Sequence, residues 1–181
     1  MCIFLNVLVS PWGLAGSPDA KLLDAQAGIE SAFSVLAQGL AGLNLIHDVG
    51  YMDMGMACSA EMLVMGDEVI GMAKRFIRGI EVNADTVARD VIERVGPGGH
   101  YLDDDHTYNR FREALWMPQL LTRQDYTTWK AQGAKDMQQR VRERLEEILQ
   151  SHEVAPLSDE VLAAFKEIKR QREGEGAESG A

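Results

Sequence analysis

An α/β arrangement, predominantly α-helical with about two short strands, is the fold class this sequence predicts, and three observations lead to it. Leu43-Asn44-Leu45-Ile46-His47-Asp48-Val49-Gly50 is an apolar run that stops at a histidine, an aspartate and a glycine. That is the pattern of a strand with polar groups at its carboxyl end, where barrel enzymes place their chemistry. Upstream of it, Asp24 opens a stretch with Ile29, Ala32, Phe33, Leu36 and Leu40 on one face, matching the 3.6-residue period of an amphipathic helix. Residues 3–9 form a second apolar run, short and without the basic segment of an export signal, and it reads as a buried strand.

The remaining elements follow from local chemistry. Pro11, Gly13, Gly16 and Pro18 forbid regular structure between the first strand and the helix at Asp24. Ser59 is a good N-cap for a helix that carries Leu63, Val69, Met72, Ala73, Phe76 and Ile77 towards Gly79. Its methionines read as core packing, because Met fills irregular gaps, rather than as a cofactor box. Asn83 caps a predicted continuous helix with Val87, Val91 and Val95 at i, i+4 and i+8, stopped by Gly96-Pro97. A loop over 98–106 precedes a short helical pattern ending near Pro118. Two amphipathic helices, over 136–150 and 158–172, follow.

Composition excludes several function classes. With 46% hydrophobic and 25% charged residues the chain has apolar surface enough for a core. A formal net charge of -10 opposes a nucleic-acid groove, which needs clustered Lys and Arg. No apolar run reaches membrane-spanning length. Cys2 and Cys58 are too few for a disulfide framework and are not spaced as zinc ligands, so a reducing, cytoplasmic compartment is the expectation.

Four blocks of sequence stand together: Gly16-Ser17-Pro18-Asp19-Ala20-Lys21, Asn44-Leu45-Ile46-His47-Asp48-Val49-Gly50-Tyr51, Asp67-Glu68-Val69-Ile70-Gly71-Met72 with Arg78-Gly79-Ile80-Glu81-Val82, and Gly96-Pro97-Gly98-Gly99-His100-Tyr101-Leu102. In order and spacing they resemble the carboxyl-terminal part of the trimethylamine methyltransferase family, from about Pro11 to about Arg123. The resemblance implies a fragment of a TIM-type α/β barrel over residues 1–123, with a helical extension over 124–173 and a disordered tail over 174–181. It implies transfer of a methyl group from a methylated amine to the cobalt of a corrinoid carried by a cognate partner protein. Family members that use pyrrolysine act on trimethylamine, whereas others resemble enzymes for quaternary amines such as glycine betaine. Only the twenty standard residues occur here, which leans towards quaternary amines.

Such a transfer needs a cation held by aromatic faces or a carboxylate, with water kept out. Trp12, Asp48, Tyr51 and Asp53 are local groups of suitable type. The resemblance places His47 and Asp48 as catalytic candidates, Trp12, Asp19, Lys21 and Tyr51 at the substrate, and Gly98, Gly99 and His100 at the cofactor. On the residues alone the alternatives stay open: His47 as a buried loop pin, Asp19 as a cap, Lys21 as a solvated charge, Gly98-Gly99 as a tight turn. Adjacent strand residues point to opposite faces, so His47 and Asp48 share a pocket only if the strand ends at His47. His100 and His106 bracket Asp103, Asp104 and Asp105 at a spacing that matches no strong metal signature, and an acidic surface loop is preferred. The rival function is a catalytically silent helical interaction module. In either case the apolar helix faces, with few strands to cover them, predict a homo-oligomer.

Overall fold

Two short parallel strands and the helix that crosses between them form the frame of the site. The structure is a computed structural model and describes residues 12–178; the strand expected over 3–9 lies outside the described residues. Strand β1 (Trp12–Leu14), inside the stretch where glycines and prolines were expected to forbid regular structure, pairs in parallel with β2 (Leu45–His47), in the register Trp12 to Leu45, Gly13 to Ile46 and Leu14 to His47. Helix α1 (Ala25–Leu40) makes the crossover, because parallel neighbours cannot be joined by a hairpin. Its start is fixed by Asp24, whose carboxyl accepts from the backbone N–H of Gln26 at 2.9 Å and of Ala27 at 3.2 Å.

Beyond β2 the chain makes a small antiparallel hairpin, β3 (Tyr51–Met52) with β4 (Ala57–Cys58), around a 3-10 turn at Asp53–Gly55. Then comes α2 (Ala60–Arg78), capped by Ser59 Oγ accepting from Met62 N–H at 3.2 Å. The described chain is therefore mostly helical with a few short strands, as predicted.

The core lies between α1 and α2. One cluster joins Ala20, Ala27, Met52, Met62, Met65, Leu120 and Val141; another joins Ala15, Val35, Val69 and Ala73. Met62 is fully buried and Met65 nearly so, so these two methionines of α2 are core residues, each worth roughly 1.5–3 kcal/mol of apolar burial, whereas Met72, expected beside them, is 38% exposed. For α1 the predicted core face is corrected: Ile29, Phe33 and Leu40 are 69%, 75% and 59% exposed, while Ala27, Ser31 and Val35 are buried. The small residues win because they let the helix approach its neighbours closely. Of the predicted stripe, Ala32 and Leu36 do pack against the buried cluster, while Ile29, Phe33 and Leu40 face outward.

The helix expected from Asn83 to Val95 is broken in two, α3 (Ala84–Val87) and α4 (Arg89–Val95). Ala88 between them has φ 52°, in the left-handed region. The cause is tertiary: Asp85 pairs with Arg110, and its carbonyl meets His106 Nε2 at 2.8 Å, both on α5 (Asp105–Ala114). The break leaves Val87 52% exposed and Val91 5% exposed, whereas one continuous helix would place both on a single face.

A short helix, α6 (Tyr126–Ala131), leads into α7 (Met137–Ser151), followed by α8 (Asp159–Glu178). Two compact units divide the chain, one ending at Glu147 and one beginning at Ile148. The first extends past Arg123 because α7 is built into it. Val141 is fully buried, Arg140 Nε donates to Leu120 O at 2.7 Å, and Arg142 meets Glu61 on α2 at 2.8 Å. In the second unit α8 continues to Glu178, into the segment read from sequence as a tail, and Val161, Leu162, Phe165 and Ile168 are exposed.

Candidate functional site at the end of strand β2

The period-two geometry of the parallel pair puts Trp12, Leu14, Leu45 and His47 on one face and Gly13 and Ile46 on the other. Ile46 packs against the buried cluster of Val35 and Val69, so the face carrying Trp12 and His47 is the open one. Their rings stack with centroids 4.8 Å apart at 28°. Strand β2 ends at His47, and Asp48 turns back with φ 70°. Its Oδ1 stands 2.7 Å from His47 Nδ1, with both side chains about one-third exposed (32% and 34%). The contact assigns Nδ1 as the proton donor and leaves Nε2 free to accept or bind.

The loop after β1 lies alongside this strand end. Ala15 N–H donates to His47 O at 3.2 Å, Gly50 N–H to Gly16 O at 3.4 Å and Asp53 N–H to Ala20 O at 3.3 Å. Lys21 Nζ bridges the two segments, 3.0 Å from Asp53 Oδ1 and 2.7 Å from Asp19 O. Asp19 donates its own N–H to Glu30 Oε2 at 2.7 Å and does not cap α1, a role taken by Asp24. Tyr51 is 43% exposed, and its N–H reaches Asp48 O at 3.2 Å. Trp12, His47 and Asp48 thus form one cluster, and the segment of Asp19 and Lys21 is tied to the turn carrying Tyr51 and Asp53.

Gly98, Gly99 and His100 are not joined to that cluster by any hydrogen bond, ion pair or ring contact among the described residues. Gly99 N–H donates to Gly96 O at 3.4 Å, and a Cβ there would meet Val95 O at 2.6 Å, so the tight turn accounts for this glycine. Gly98, at φ 82°, faces open space. His100 is near Asp103 at 3.3 Å. Asp104 caps α5 and pairs with Arg94, whose guanidinium holds its carboxyl below the usual carboxylate range, helped by the N–H of His106. Among the described residues no group of three or more His, Cys, Asp or Glu is placed to hold a metal ion.

A cavity of about 590 Å³ opens between the ends of α2 and α5, lined by Arg75, Arg78, His106 and Arg110. Its cations are committed to structure. Arg75 donates to Ala114 O and Gly79 O, Arg78 to Glu113 O, and Arg110 pairs with Asp85. Two helix carboxyl ends are neutralised there. Glu68, which sequence reasoning left inside a motif without a role, is 7% exposed on α2. It accepts from the backbone N–H of Gln119, Leu120 and Leu121 at 3.1, 2.8 and 2.9 Å. No sequence signal pointed to it, since its partners lie 51 to 53 residues away.

Residues 5–177 match the family model described as trimethylamine methyltransferase. The chain belongs to the trimethylamine methyltransferase family. The match extends well past Arg123, where the resemblance read from sequence stopped. The chain is 37% identical over 158 residues to a glycine betaine methyltransferase of Desulfitobacterium hafniense (strain Y51), an alignment covering 87% of this chain and 33% of that protein. It is 34% identical over 164 residues to the trimethylamine methyltransferase MttB of Desulfitobacterium hafniense (strain DSM 10664 / DCB-2), covering 91% and 33%. With MttB of Methanosarcina thermophila the identity is 35% over 153 residues, covering 84% and 32%. The chain spans about a third of the length of these members of the trimethylamine methyltransferase family. Among the described residues no helix is long and apolar enough to cross a membrane.

Proposed function

We propose that this chain is the carboxyl-terminal part of a barrel methyltransferase that moves a methyl group from trimethylamine, or from a quaternary amine such as glycine betaine, to a corrinoid protein. The observation that carries the reading is the cluster of Trp12, His47 and Asp48 at the end of β2, an aromatic face beside a carboxyl group on an open strand end. One side of the Trp12 indole rests on His47 and the side chain remains 69% exposed, leaving area for a methylated ammonium. Such a cation over an indole gains about 0.5–2 kcal/mol. Asp48 supplies the opposite charge, and His47 orients it.

The corrinoid, carried by the partner protein, supplies the nucleophile that takes the methyl group. A quaternary nitrogen leaves neutral once the methyl is gone, so no proton has to be delivered to it. The task of the side chains is to bind, orient and desolvate the cation. Lys21 and Asp53 brace the neighbouring turn that carries Tyr51, and Asp19 supplies a carbonyl to Lys21. Gly98, with open space beside its backbone, suits a surface that a bulky group approaches, while Gly99 is needed by its own turn. His100 stays with them on the proposed corrinoid side. A cytoplasmic setting rests on the cysteine usage and the exposed Cys58 thiol.

The outward stripe of Ile29, Phe33 and Leu40 supports a second reading, an interaction module that associates with copies of itself and performs no chemistry. The two are separated by titrating the chain with glycine betaine and with trimethylamine while following tryptophan emission. The enzyme reading expects a saturable change that disappears in Trp12→Phe. Incubation of the family-length protein with its reduced corrinoid protein and the amine that binds should then methylate the corrinoid. Absence of both responses over a panel of methylated amines discards the enzyme reading.

A further inference from the structure

The geometry points to Val49 as a positioning residue that sets the contact between His47 and Asp48. Its side chain is wedged between two glycine backbones from different elements. A Cβ on Gly16, which has φ 72°, would stand 3.1 Å from Val49 Cγ2, and a Cβ on Gly66, in the interior of α2, would collide with Val49 Cγ1. Glycine inside a helix is unfavourable, since it loses backbone freedom and packs nothing. At Gly66 the space it leaves is occupied by the Val49 methyl.

The chain is pinned immediately after this wedge. Gly50 donates to Gly16 O at 3.4 Å and accepts from Ser59 N–H at 2.9 Å, and a Cβ on it would lie 3.1 Å from Leu63 Cβ. With His47 held in the β1–β2 ladder on one side and Val49-Gly50 seated on the other, Asp48 has to span the gap. It does so at φ 70°, a conformation that a residue with a Cβ adopts only when its surroundings impose it. That conformation is what brings Oδ1 within 2.7 Å of His47 Nδ1. Val49 acts on the pair through Asp48 and touches neither the proposed amine nor the reacting atoms.

The importance of this seat for methyl transfer rests on reading the pair as the amine site, but the positioning itself does not. It is tested on the chain by nitrogen-detected NMR of the His47 ring at a pH where the imidazole is neutral. The wild-type chain is expected to show the Nδ1–H tautomer. Val49→Ala, which empties the wedge, and Gly66→Ala, which displaces it, should both lose that signature. Val49→Thr, with the same shape, should retain it, as should Val141→Ala, which opens a cavity in the other core cluster and lowers thermal stability. Persistence of the tautomer in both Val49→Ala and Gly66→Ala overturns the proposal, and so does its equal loss in Val141→Ala. Loss of the tautomer in the two wedge variants with unchanged amine binding supports the positioning and sinks the site reading alone.

Discussion

His47 Nδ1 and Asp48 Oδ1 lie 2.7 Å apart although the two residues are neighbours in sequence. In a continuing strand their side chains would point to opposite faces. The strand stops at His47, and the left-handed turn at Asp48 carries the carboxyl group back over the imidazole.

Asp48→Asn tests what the charge contributes. Asn tolerates the left-handed region and keeps an oxygen that accepts from Nδ1–H, so thermal unfolding is expected to change little. Affinity for a methylated ammonium should fall about tenfold, equivalent to ~1.4 kcal/mol, in a fluorescence titration. Unchanged affinity would place the cation away from this carboxyl group.

Glu68 is predicted to matter for stability far more than its polar character suggests. Its carboxyl group receives three backbone N–H groups from the segment that follows α5. Glu68→Ala leaves all three without that partner, at about 1–3 kcal/mol for each group that finds no water. A loss on the order of 3 kcal/mol is expected, and Glu68→Gln, which keeps one acceptor oxygen, should lose less. Urea unfolding midpoints measure both. A Glu68→Ala chain within about 0.5 kcal/mol of wild type, the range of ordinary surface changes, would show that the segment is held by other contacts.

Which parts of this architecture were legible in the sequence follows the range of the interactions involved. The starts of α1, α2 and α3 were, because Asp24, Ser59 and Asn83 bind backbone N–H groups two or three residues ahead. The buried side of α1 was legible only in part, through Ala32 and Leu36. Ile29, Phe33 and Leu40 make as good a stripe as Ala27, Ser31 and Val35, and only the close approach of α2 decides between them. At the strand end, Trp12, His47 and Asp48 were read as candidates and are brought together; of Gly98, Gly99 and His100, read alongside them, Gly99 is hydrogen-bonded within its own turn and His100 lies against Asp103. Asp85, Glu68 and Val49 were unreadable in role because each packs against or binds a segment distant in sequence.

The break at Ala88 gives a test with opposite signs for two backbones. In the interior of a continuous helix, Ala88→Gly would cost about 1 kcal/mol. At φ 52° the Cβ is itself a burden of roughly 1–2 kcal/mol. Its removal is offset in part by the greater freedom of glycine in the unfolded chain, about 0.4–1 kcal/mol. Ala88→Gly is therefore expected to stabilise by about 0.5 kcal/mol, and Ala88→Val to destabilise. Chemical denaturation that finds Ala88→Gly clearly less stable would restore the continuous helix.

The pair of Arg94 and Asp104 sets a pH dependence whose direction is fixed. The Arg94 guanidinium is the main reason the Asp104 carboxyl titrates below its ordinary value, with the His106 N–H adding to the effect. A carboxyl group whose pKa is depressed by folding contributes stability that is fully present above the unfolded value, about 3.9, and that is lost as pH falls through the lower folded value. Asp104→Asn removes the titration while retaining a good N-cap for α5. The difference in melting temperature between wild type and Asp104→Asn should accordingly be constant from neutral pH down to about 5, then shrink as the carboxyl group is protonated in both states. Added salt should reduce the same difference at neutral pH, because the Arg94 side chain is 61% exposed. Melting curves collected from pH 7 to pH 2 decide the matter. A difference that stays flat to the acid end, or that grows there, would mean that Arg94 does not hold the Asp104 carboxylate in solution.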